Sequence, residues 1–253
     1  MAWRKTYSGD EPQRINKWLA QAGVCSRREA EDFITRGLVS IDGAPVRDPG
    51  HKIEPGQTLT LADKAEQQLG DAVTVVLNKP TGFVSAAPQR GEIPAARLIV
   101  AERLWGEAAK IPGRNAKLAP LGRLDQDSHG LLLLSEDGAL AKAVIGPASE
   151  MDKEYVVRVA GDISEKKLAL LRHGLVLDER QLKPAQVSLS AKQTLRFVLQ
   201  EGRNRQIRRM CDLVGLKVTD LKRIRIGPLK LGDLPEGKWR LLSSAERSAL
   251  LGR

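Results

Sequence analysis

Apolar residues recur with two different periods along the chain, and the first period marks a small N-terminal module. In residues 15–22 the apolar positions are three and four residues apart, which is typical of one face of a helix. Residues 26–29, Ser-Arg-Arg-Glu, fit a capping box that starts a second helix. Residues 38–46, which surround an Asp-Gly pair, predict a β-hairpin. Residues 13–61 are therefore predicted to form a helix–helix–strand module, and residues 1–12 a loose tail.

The rest of the chain predicts a larger unit behind a linker. Residues 62–72 are polar and lack strand periodicity, which predicts a linker, with or without a helical turn. Residues 73–253 alternate short apolar runs with helical patterns. Strands are predicted over residues 73–77, 131–134, 154–159, 194–200 and 216–226. Helices are predicted over residues 95–104, 139–145, 164–173 and 205–214.

The charge of the chain makes a nucleic acid a candidate partner. It has 41 Lys and Arg against 31 Asp and Glu, a net charge of +10, and phosphates dominate nucleic-acid affinity. A generally charged surface explains this excess equally well. Cys25 and Cys211 are far apart in sequence and belong to no Cys/His cluster, so neither a zinc site nor a disulfide framework is expected. Because the sequence shows no membrane-length apolar run and no apolar signal core, we expect a cytoplasmic protein without a membrane partner.

The second predicted helix begins with two arginines that could hold phosphate. Arg27 and Arg28 lie in its first turn, where backbone N–H groups and the helix dipole favour an anion. An exposed helix start with incidental arginines is the alternative. Together with Arg14, Lys17 and the following Val-x-Ile-Asp-Gly segment, they resemble the RNA-binding module of the ribosomal-protein-S4 type, over about residues 13–61. The resemblance implies that Arg27 and Arg28 contact RNA.

The densest polar signal lies in residues 122–130, Gly-Arg-Leu-Asp-Gln-Asp-Ser-His-Gly, directly before an apolar strand. Loops on rigid scaffolds carry many binding and catalytic groups, so the segment indicates a site around Asp125. A tight turn with an Arg–Asp surface pair is the alternative. Asp127 and Ser128 are expected to hydrogen-bond the loop backbone. His129 is not expected to be catalytic, because nothing beside it forms a nucleophile dyad.

A second concentration of charge lies in residues 201–230, with nine Lys or Arg against three Asp or Glu. Residues 203–210, Arg-Asn-Arg-Gln-Ile-Arg-Arg-Met, place arginines beside the apolar stripe of a helix. The next strand alternates Arg223 and Arg225 with isoleucines, which predicts one basic and one apolar face. Such a patch favours phosphate binding, with a solvated charged face as the alternative.

Together with Asn78-Lys79-Pro80 and Lys153-Glu154-Tyr155, these segments resemble the pseudouridine synthases over about residues 13–242. The most similar branch joins this catalytic domain to an N-terminal RNA-binding module and modifies ribosomal RNA. It is the RsuA/RluB/RluE/RluF branch, and the RluF-like members are the most similar. The resemblance implies an α+β fold, with a mixed, largely antiparallel sheet flanked by helices behind the small α/β module. The implied domains are an S4-type RNA-binding domain at 13–61, a linker at 62–72 and a catalytic domain at 73–253.

The resemblance also implies what individual residues do. The family's catalytic aspartate falls on Asp125, its base-stacking tyrosine on Tyr155 and its basic partner on Arg208. Arg208 is expected to be the counter-ion of Asp125, and Arg123 to help flip the target base. Neither a cofactor nor a metal is expected, because the isomerisation involves no redox change or group transfer. RNA contacts are expected from Arg27, Arg28, Lys79, Arg123, Asn204, Arg205, Arg209, Arg223 and Arg225.

The expected partner is ribosomal RNA, 23S rather than 16S, either free or in an assembly intermediate, and the expected state is a monomer. One alternative is a non-catalytic RNA-binding assembly factor, for which Asp125 would have no task. Another is a glycosidase or nucleoside hydrolase, which would use paired carboxylates such as Asp125 and Asp127. Tyr155 could instead be a strand aromatic packed on the core. Residues 86–118 resemble the family least and receive no role.

Overall fold

The computed structural model describes residues 3–108, 111–113 and 116–252. The chain divides into two compact units, Met1–Val73 with Ser135–Lys142, and Thr74–Leu134 with Ala143–Arg253. Residues 62–72, the predicted linker, therefore belong to the first unit.

The first unit is built from short strands and helices around one apolar core. Its helices are α1 (Ile15–Gln21), α2 (Arg27–Thr35) and α3 (Asp63–Gly70). Its strands are β1 (Arg4–Thr6), β2 (Gln13–Arg14), β3 (Val39–Ile41), β4 (Ala44–Val46), β5 (Lys52–Ile53) and β6 (Thr58–Leu61). A sheet forms in the order β1-β6-β3-β4, and β2 pairs with β5. The core includes Leu19 from α1, Phe33 from α2 and Leu59 from β6.

The predicted start of α2 and the predicted hairpin are both confirmed. Ser26 Oγ accepts a hydrogen bond from the Glu29 N–H at 3.2 Å, and the Glu29 carboxylate accepts one from the Ser26 N–H at 2.6 Å. These bonds satisfy two N–H groups at the helix start. β3 pairs antiparallel with β4. Asp42 and Gly43, at their turn, have positive φ, as tight hairpins require.

Two segments of this unit differ from the predictions. The predicted loose tail contains β1, which pairs antiparallel with β6. It also contains Tyr7, which is buried and packs edge-on against Trp18, with 5.4 Å between ring centroids. The predicted linker contains α3, whose Ala65 is buried in the core of the unit. These predictions were wrong because distant partners hold both segments, and the local pattern does not show distant partners.

The second unit is built around a larger sheet. The helices that follow in the chain are α4 (Gly138–Ile145), α5 (Glu165–Arg172), α6 (Gln206–Leu213) and α7 (Ser244–Leu251). The first strands are β7 (Thr74–Lys79), β8 (Phe83–Val84), β9 (Ile93–Pro94), β10 (Ala119–Pro120), β11 (His129–Ser135) and β12 (Lys153–Ala160). The later strands are β13 (Val176–Leu177), β14 (Arg180–Gln181), β15 (Gln186–Ala191), β16 (Thr194–Leu199), β17 (Lys217–Ile226), β18 (Leu229–Lys230) and β19 (Trp239–Leu241).

The large sheet has the strand order β15-β16-β12-β17-β11-β7-β19. β12 pairs antiparallel with both β16 and β17, whereas β11 pairs parallel with β17. The predicted mixed, largely antiparallel sheet of an α+β fold is thus confirmed. Every residue of β7, and nearly every residue of β11, is buried, as expected of central strands covered on both faces.

The five predicted strands and three of the predicted helices form within a few residues of their predicted bounds. The fourth helix, predicted over 95–104, is wrong, because the segment forms two 3-10 turns, Ala95–Leu98 and Ala101–Arg103. In this unit the sequence prediction missed α7, the longer strands β15 and β19, and the two-residue strands β8, β9, β10, β13, β14 and β18. Within the unassigned segment 86–118, residues 109–110 and 114–115 lie outside the described residues.

Candidate active site

A loop between β10 and β11 carries Asp125, and two glycines shape it. Gly122 has a φ of 89°, a backbone that L side chains rarely adopt. Gly130 has a φ of 99°, and a Cβ there would lie 2.3 Å from the backbone oxygen of Arg223 on β17. The chain therefore needs glycine both where it turns and where it enters the sheet.

Asp125 lines an open cavity of about 490 Å³ in the second unit. Residues 84–92 contribute one part of its lining and residues 201–208 another. Arg123 of the loop and Tyr155 of β12 also line the cavity, and Arg208 belongs to the 201–208 segment. All the residues predicted for catalysis and base flipping therefore line this cavity. Residues as far apart in the sequence as Val84 and Arg208 are thus brought to one cavity.

The cation that approaches Asp125 is Arg205. Its Nη1 lies 3.7 Å from Asp125 Oδ2. The same guanidinium donates to both carboxylate oxygens of Asp127, at 3.0 and 2.9 Å. Arg205 is the N-cap of α6 and has a left-handed backbone, with a φ of 48°, which is uncommon for a non-glycine residue. Two carboxylates therefore share one guanidinium beside the cavity.

Arg208 does not occupy the place predicted for it. Its Nη2 donates to the Asp127 carbonyl oxygen at 2.8 Å and to Ser128 Oγ at 3.3 Å, and lies 3.4 Å from Asp127 Oδ1. Among the ion pairs of the described residues, Asp125 pairs with Arg205 and not with Arg208. The prediction that Arg208 is the direct counter-ion of Asp125 is therefore corrected. Arg208 instead binds the two residues that follow Gln126 in the loop.

Asp127 also differs from its prediction, because its carboxylate binds arginines and not only the loop backbone. Partial burial raises the pKa of Asp127, but hydrogen bonds and charges from Arg205 and Arg208 outweigh this and hold the pKa below its usual value. Asp127 is therefore ionised at neutral pH, and its charge fixes both arginines.

Tyr155 lies on β12 and is largely buried, with 9% of its surface exposed. Its strand has an irregular register against β17 between Glu154 and Tyr155, and such irregularities re-aim side chains. Tyr155 thus serves as a core aromatic and also lines the cavity. Arg123, in contrast, is exposed at the same cavity.

Lys79 is not an RNA-facing residue, which corrects its prediction. It is fully buried, and its Nζ donates to the Ser128 carbonyl oxygen at 2.7 Å and to the Pro80 carbonyl oxygen at 2.8 Å. Burial lowers the pKa of Lys79 to about 8, although the nearby charges of Asp125 and Asp127 act in the opposite direction. Lys79 therefore holds the loop from inside the unit.

Arg223 and Arg225 are also corrected, since neither lies on an open basic face. Arg223 is 1% exposed and donates to backbone carbonyls of the loop and of β11. Arg225 makes two contacts to Asp152, at 2.8 and 2.9 Å, and one to Glu154, at 2.7 Å. The alternation predicted a basic outer face, but carbonyl partners hold Arg223 and carboxylate partners hold Arg225 inside the unit.

Other predicted RNA contacts lie on the surface. Arg209 pairs with Asp178 through contacts of 2.9 and 2.6 Å, and Asn204 is exposed and lines the cavity. In the first unit, Arg27 and Arg28 are the exposed first two residues of α2. These positions agree with the predictions, and the RNA contacts themselves stay predictions.

Sequence reasoning missed Ser85 and Arg203. Ser85 is buried, and its hydroxyl both accepts from the Leu124 N–H and donates to the Leu124 carbonyl. Arg203 donates to the carbonyl oxygens of Leu177, Arg180 and Gln181, which holds the β13–β14 hairpin against a segment that lines the cavity. Ser85 is a small residue after a Phe-Val pair and carries no recognisable sequence signal. Arg203 is one of many basic residues in 201–230, and the sequence gives it no separate role.

Burial raises the pKa of the Cys25 and Cys211 thiols to about 12 each, so both are unreactive at neutral pH. The described part of the chain contains no group of three or more His, Cys, Asp or Glu side chains arranged to hold a metal ion. None of its helices is both long and apolar enough to span a membrane.

The chain is similar to known proteins over nearly its whole length. The family model described as RNA pseudouridylate synthase matches residues 73–213, and the S4 domain model matches residues 13–59. The dual-specificity RNA pseudouridine synthase RluF of Escherichia coli (strain K12) is 32% identical over 239 residues, covering 94% of this chain and 78% of RluF. Ribosomal large subunit pseudouridine synthase B of Bacillus subtilis (strain 168) is 36% identical over 241 residues, covering 92% and 93%. A crystal structure of a pseudouridylate synthase aligns with a TM-score of 0.64 at 26% identity, covering 94% of this chain and 99% of that one.

Proposed function

Because the chain belongs to the RNA pseudouridylate synthase family, we propose that it isomerises a uridine of ribosomal RNA to pseudouridine, with Asp125 as the indispensable catalytic group. The observation that carries this proposal is the meeting of Asp125, Arg123 and Tyr155 at one cavity. In this proposal RNA is the substrate, and the chain itself supplies the chemistry.

The reaction breaks the bond between N1 of uracil and C1′ of ribose, turns the uracil, and joins its C5 to C1′. The proton of C5 leaves and N1 gains one, so atoms and electrons balance without a group donor. The separated base and sugar must be held together while water is excluded. An ionised carboxylate can attack C1′ or take the neighbouring C2′ proton, and both routes need a free Asp125 oxygen at the sugar.

The residues around Asp125 divide the remaining tasks. Arg205 and Asp127 form an ion pair beside it, and Arg208 ties down the following residues of the loop. Tyr155 offers an aromatic face on which the detached uracil can stack. Arg123 is exposed at the cavity, where it can fill the space that the flipped uridine vacates in the RNA.

The RNA backbone would run over the exposed basic residues at the cavity, Arg123 and Arg205, with Asn204 beside them, and over the neighbouring Arg209 of α6. Arg27 and Arg28 of the S4-type module would hold a second part of the RNA, because a helix start with two guanidiniums favours phosphate. Each of these arginines can exchange a carboxylate or water partner for a phosphate.

The preferred substrate in this proposal is 23S ribosomal RNA, either free or in an assembly intermediate. The large-subunit name of the Bacillus subtilis relative supports 23S RNA, and the S4-type module supports an RNA substrate in general. We further infer a monomer, because one chain supplies all the residues named for the cavity, and a cytoplasmic site of action, because the proposed substrate is ribosomal RNA.

Tritium release tests the proposal. The protein is incubated with 23S and 16S RNA transcripts that carry tritium on carbon 5 of uridine. Release from 23S RNA, with pseudouridine in the digested product, is the expected result. Free uracil as the product would favour a hydrolase, and RNA binding without release would favour an assembly factor. Release from 16S RNA alone would contradict the 23S preference.

A further inference from the structure

We propose that Ser85 and Arg223 are positioning residues that hold the backbone of residues 122–124 from two directions and thereby fix Asp125 in the cavity. The proposal rests on the proposed catalytic role of Asp125. Neither residue need touch the reacting atoms, because both act on the backbone before Asp125.

The hydroxyl of Ser85 engages both backbone groups of Leu124. It accepts from the Leu124 N–H at 2.8 Å and donates to the Leu124 carbonyl oxygen at 2.7 Å. Ser85 and Leu124 are both buried, so water cannot readily replace these bonds. Fixing the N–H and the carbonyl of one residue fixes the peptide planes on both sides of it. One of these planes leads directly into Asp125.

Arg223 holds the residues before Leu124. Its Nη2 donates to the Gly122 carbonyl oxygen at 3.1 Å, and its Nη1 lies 3.5 Å from the Arg123 carbonyl oxygen. Its Nε donates to the Leu131 carbonyl oxygen at 2.7 Å on the central strand β11. One planar guanidinium therefore ties the loop to the rigid sheet, in a fork geometry that lysine cannot reproduce.

Burying Arg223 is costly, which argues for a role beyond packing. The side chain is 1% exposed, and among the hydrogen bonds and ion pairs of the described residues its partners are carbonyl oxygens, not carboxylates. A buried cation without an anion is expensive to maintain. Lys79 and Lys153 are nearby, and the positive charge of Arg223 contributes to lowering the pKa of both. An apolar residue would pack on β17 without this repulsion.

The hydrogen bonds from Ser85 and Arg223 matter for turnover because catalysis is sensitive to small displacements of the catalytic group. A shift of about 1 Å in a catalytic group can reduce the rate about a hundredfold. Ser85→Ala should therefore lower kcat of the folded enzyme at least tenfold while RNA affinity changes little, and the unfolding temperature should fall because two buried backbone groups of Leu124 lose their partner. Ser85→Thr, which keeps the hydroxyl, should restore most of the rate. Arg223→Lys should show the same split between kcat and affinity.

Two matched controls separate positioning from general structure. Ser135→Ala removes another buried serine hydroxyl, which accepts from the Asp137 N–H at 2.9 Å and is not in the cavity lining. Arg225→Lys changes an arginine of the same strand that binds Asp152 and Glu154 rather than the loop. Both controls should keep the wild-type kcat per folded molecule.

The deciding experiment measures single-turnover tritium release, RNA affinity and thermal unfolding for these variants and for Ser85→Ala/Arg223→Lys together. Because both residues act on one segment, the double variant should lose less than the product of the single losses. The proposal is overturned if the single variants keep wild-type kcat, if kcat falls only in proportion to unfolding, or if the losses multiply. An inactive wild type would instead refute the proposed function, so the two failures are distinguishable.

Discussion

Asp127→Asn should move Arg205 from one carboxylate to the other. Arg205 donates to both oxygens of Asp127 while its Nη1 stays 3.7 Å from Asp125. Asparagine keeps the shape of the side chain, but it offers a single acceptor oxygen and no charge. Arg205 is then expected to close on Asp125 and to cover an oxygen that, in the proposed function, faces the sugar.

The structure sets the size of the effect. The Asp127 and Arg205 side chains are 48% and 44% exposed, so their pair contributes under about 1 kcal/mol to folding, and the unfolding temperature should barely change. In the cavity, a new Arg205–Asp125 contact worth up to about 1 kcal/mol would have to break before each turnover, which lowers kcat by up to about fivefold. RNA affinity should not fall, because the variant carries one negative charge fewer.

Asp178→Asn is the matched control. Asp178 also binds an exposed arginine of α6, Arg209, through two contacts, and its substitution removes the same charge. Single-turnover tritium release at saturating RNA should be slow for Asp127→Asn and normal for Asp178→Asn. A wild-type rate for Asp127→Asn, or an equal decrease in both variants, would refute the reasoning.

Three further predictions concern parts of the chain outside the Asp125–Arg205 contact. Burial lowers the pKa of Lys79 from 10.5 to about 8. Between these two pH values the unfolded chain binds more protons at Lys79 than the folded chain does. Lys79 therefore makes the free energy of unfolding rise with pH, by at most about 1.4 kcal/mol per pH unit. Denaturant titrations of Lys79→Met should show a smaller rise, and an unchanged slope would contradict a buried ammonium. Tyr7→Ala should lower the free energy of unfolding of the first unit by about 3 kcal/mol, measured in urea, and Tyr7→Phe should lower it less. A loss below about 1 kcal/mol for Tyr7→Ala would mean that residues 1–12 form a loose tail. The double variant Arg27→Ala/Arg28→Ala should flatten the slope of log RNA affinity against log salt concentration, as the loss of about two phosphate contacts requires. Single turnover at saturating RNA should not slow. An unaltered slope would exclude both contacts.

Local sequence signals predicted the elements that local physics fixes. The Ser26–Glu29 capping box and the Asp42-Gly43 turn depend on neighbouring residues, and both formed as predicted. The segment around Asp125 was recognised because its polar residues lie between a glycine and a wholly apolar strand. The cavity it lines also contains Tyr155, which family resemblance, and not periodicity, had singled out.

What the sequence could not show was which cations are buried. Lys79 and Arg223 look like nucleic-acid contacts in a basic chain, yet both donate to backbone carbonyls inside the unit. Alternation along a strand separates two faces, but it does not say whether the second face meets water or another layer. Asp125 pairs with Arg205 rather than Arg208, and Arg205 has a left-handed backbone; residue spacing reveals neither feature.

The most direct test of the account is single-turnover tritium release by Asp125→Asn with 23S RNA in excess of its dissociation constant. The account predicts RNA binding and an unfolding temperature close to wild type, with no release above the enzyme-free reaction. A rate within about tenfold of wild type, a barrier change of only about 1.4 kcal/mol, would contradict it.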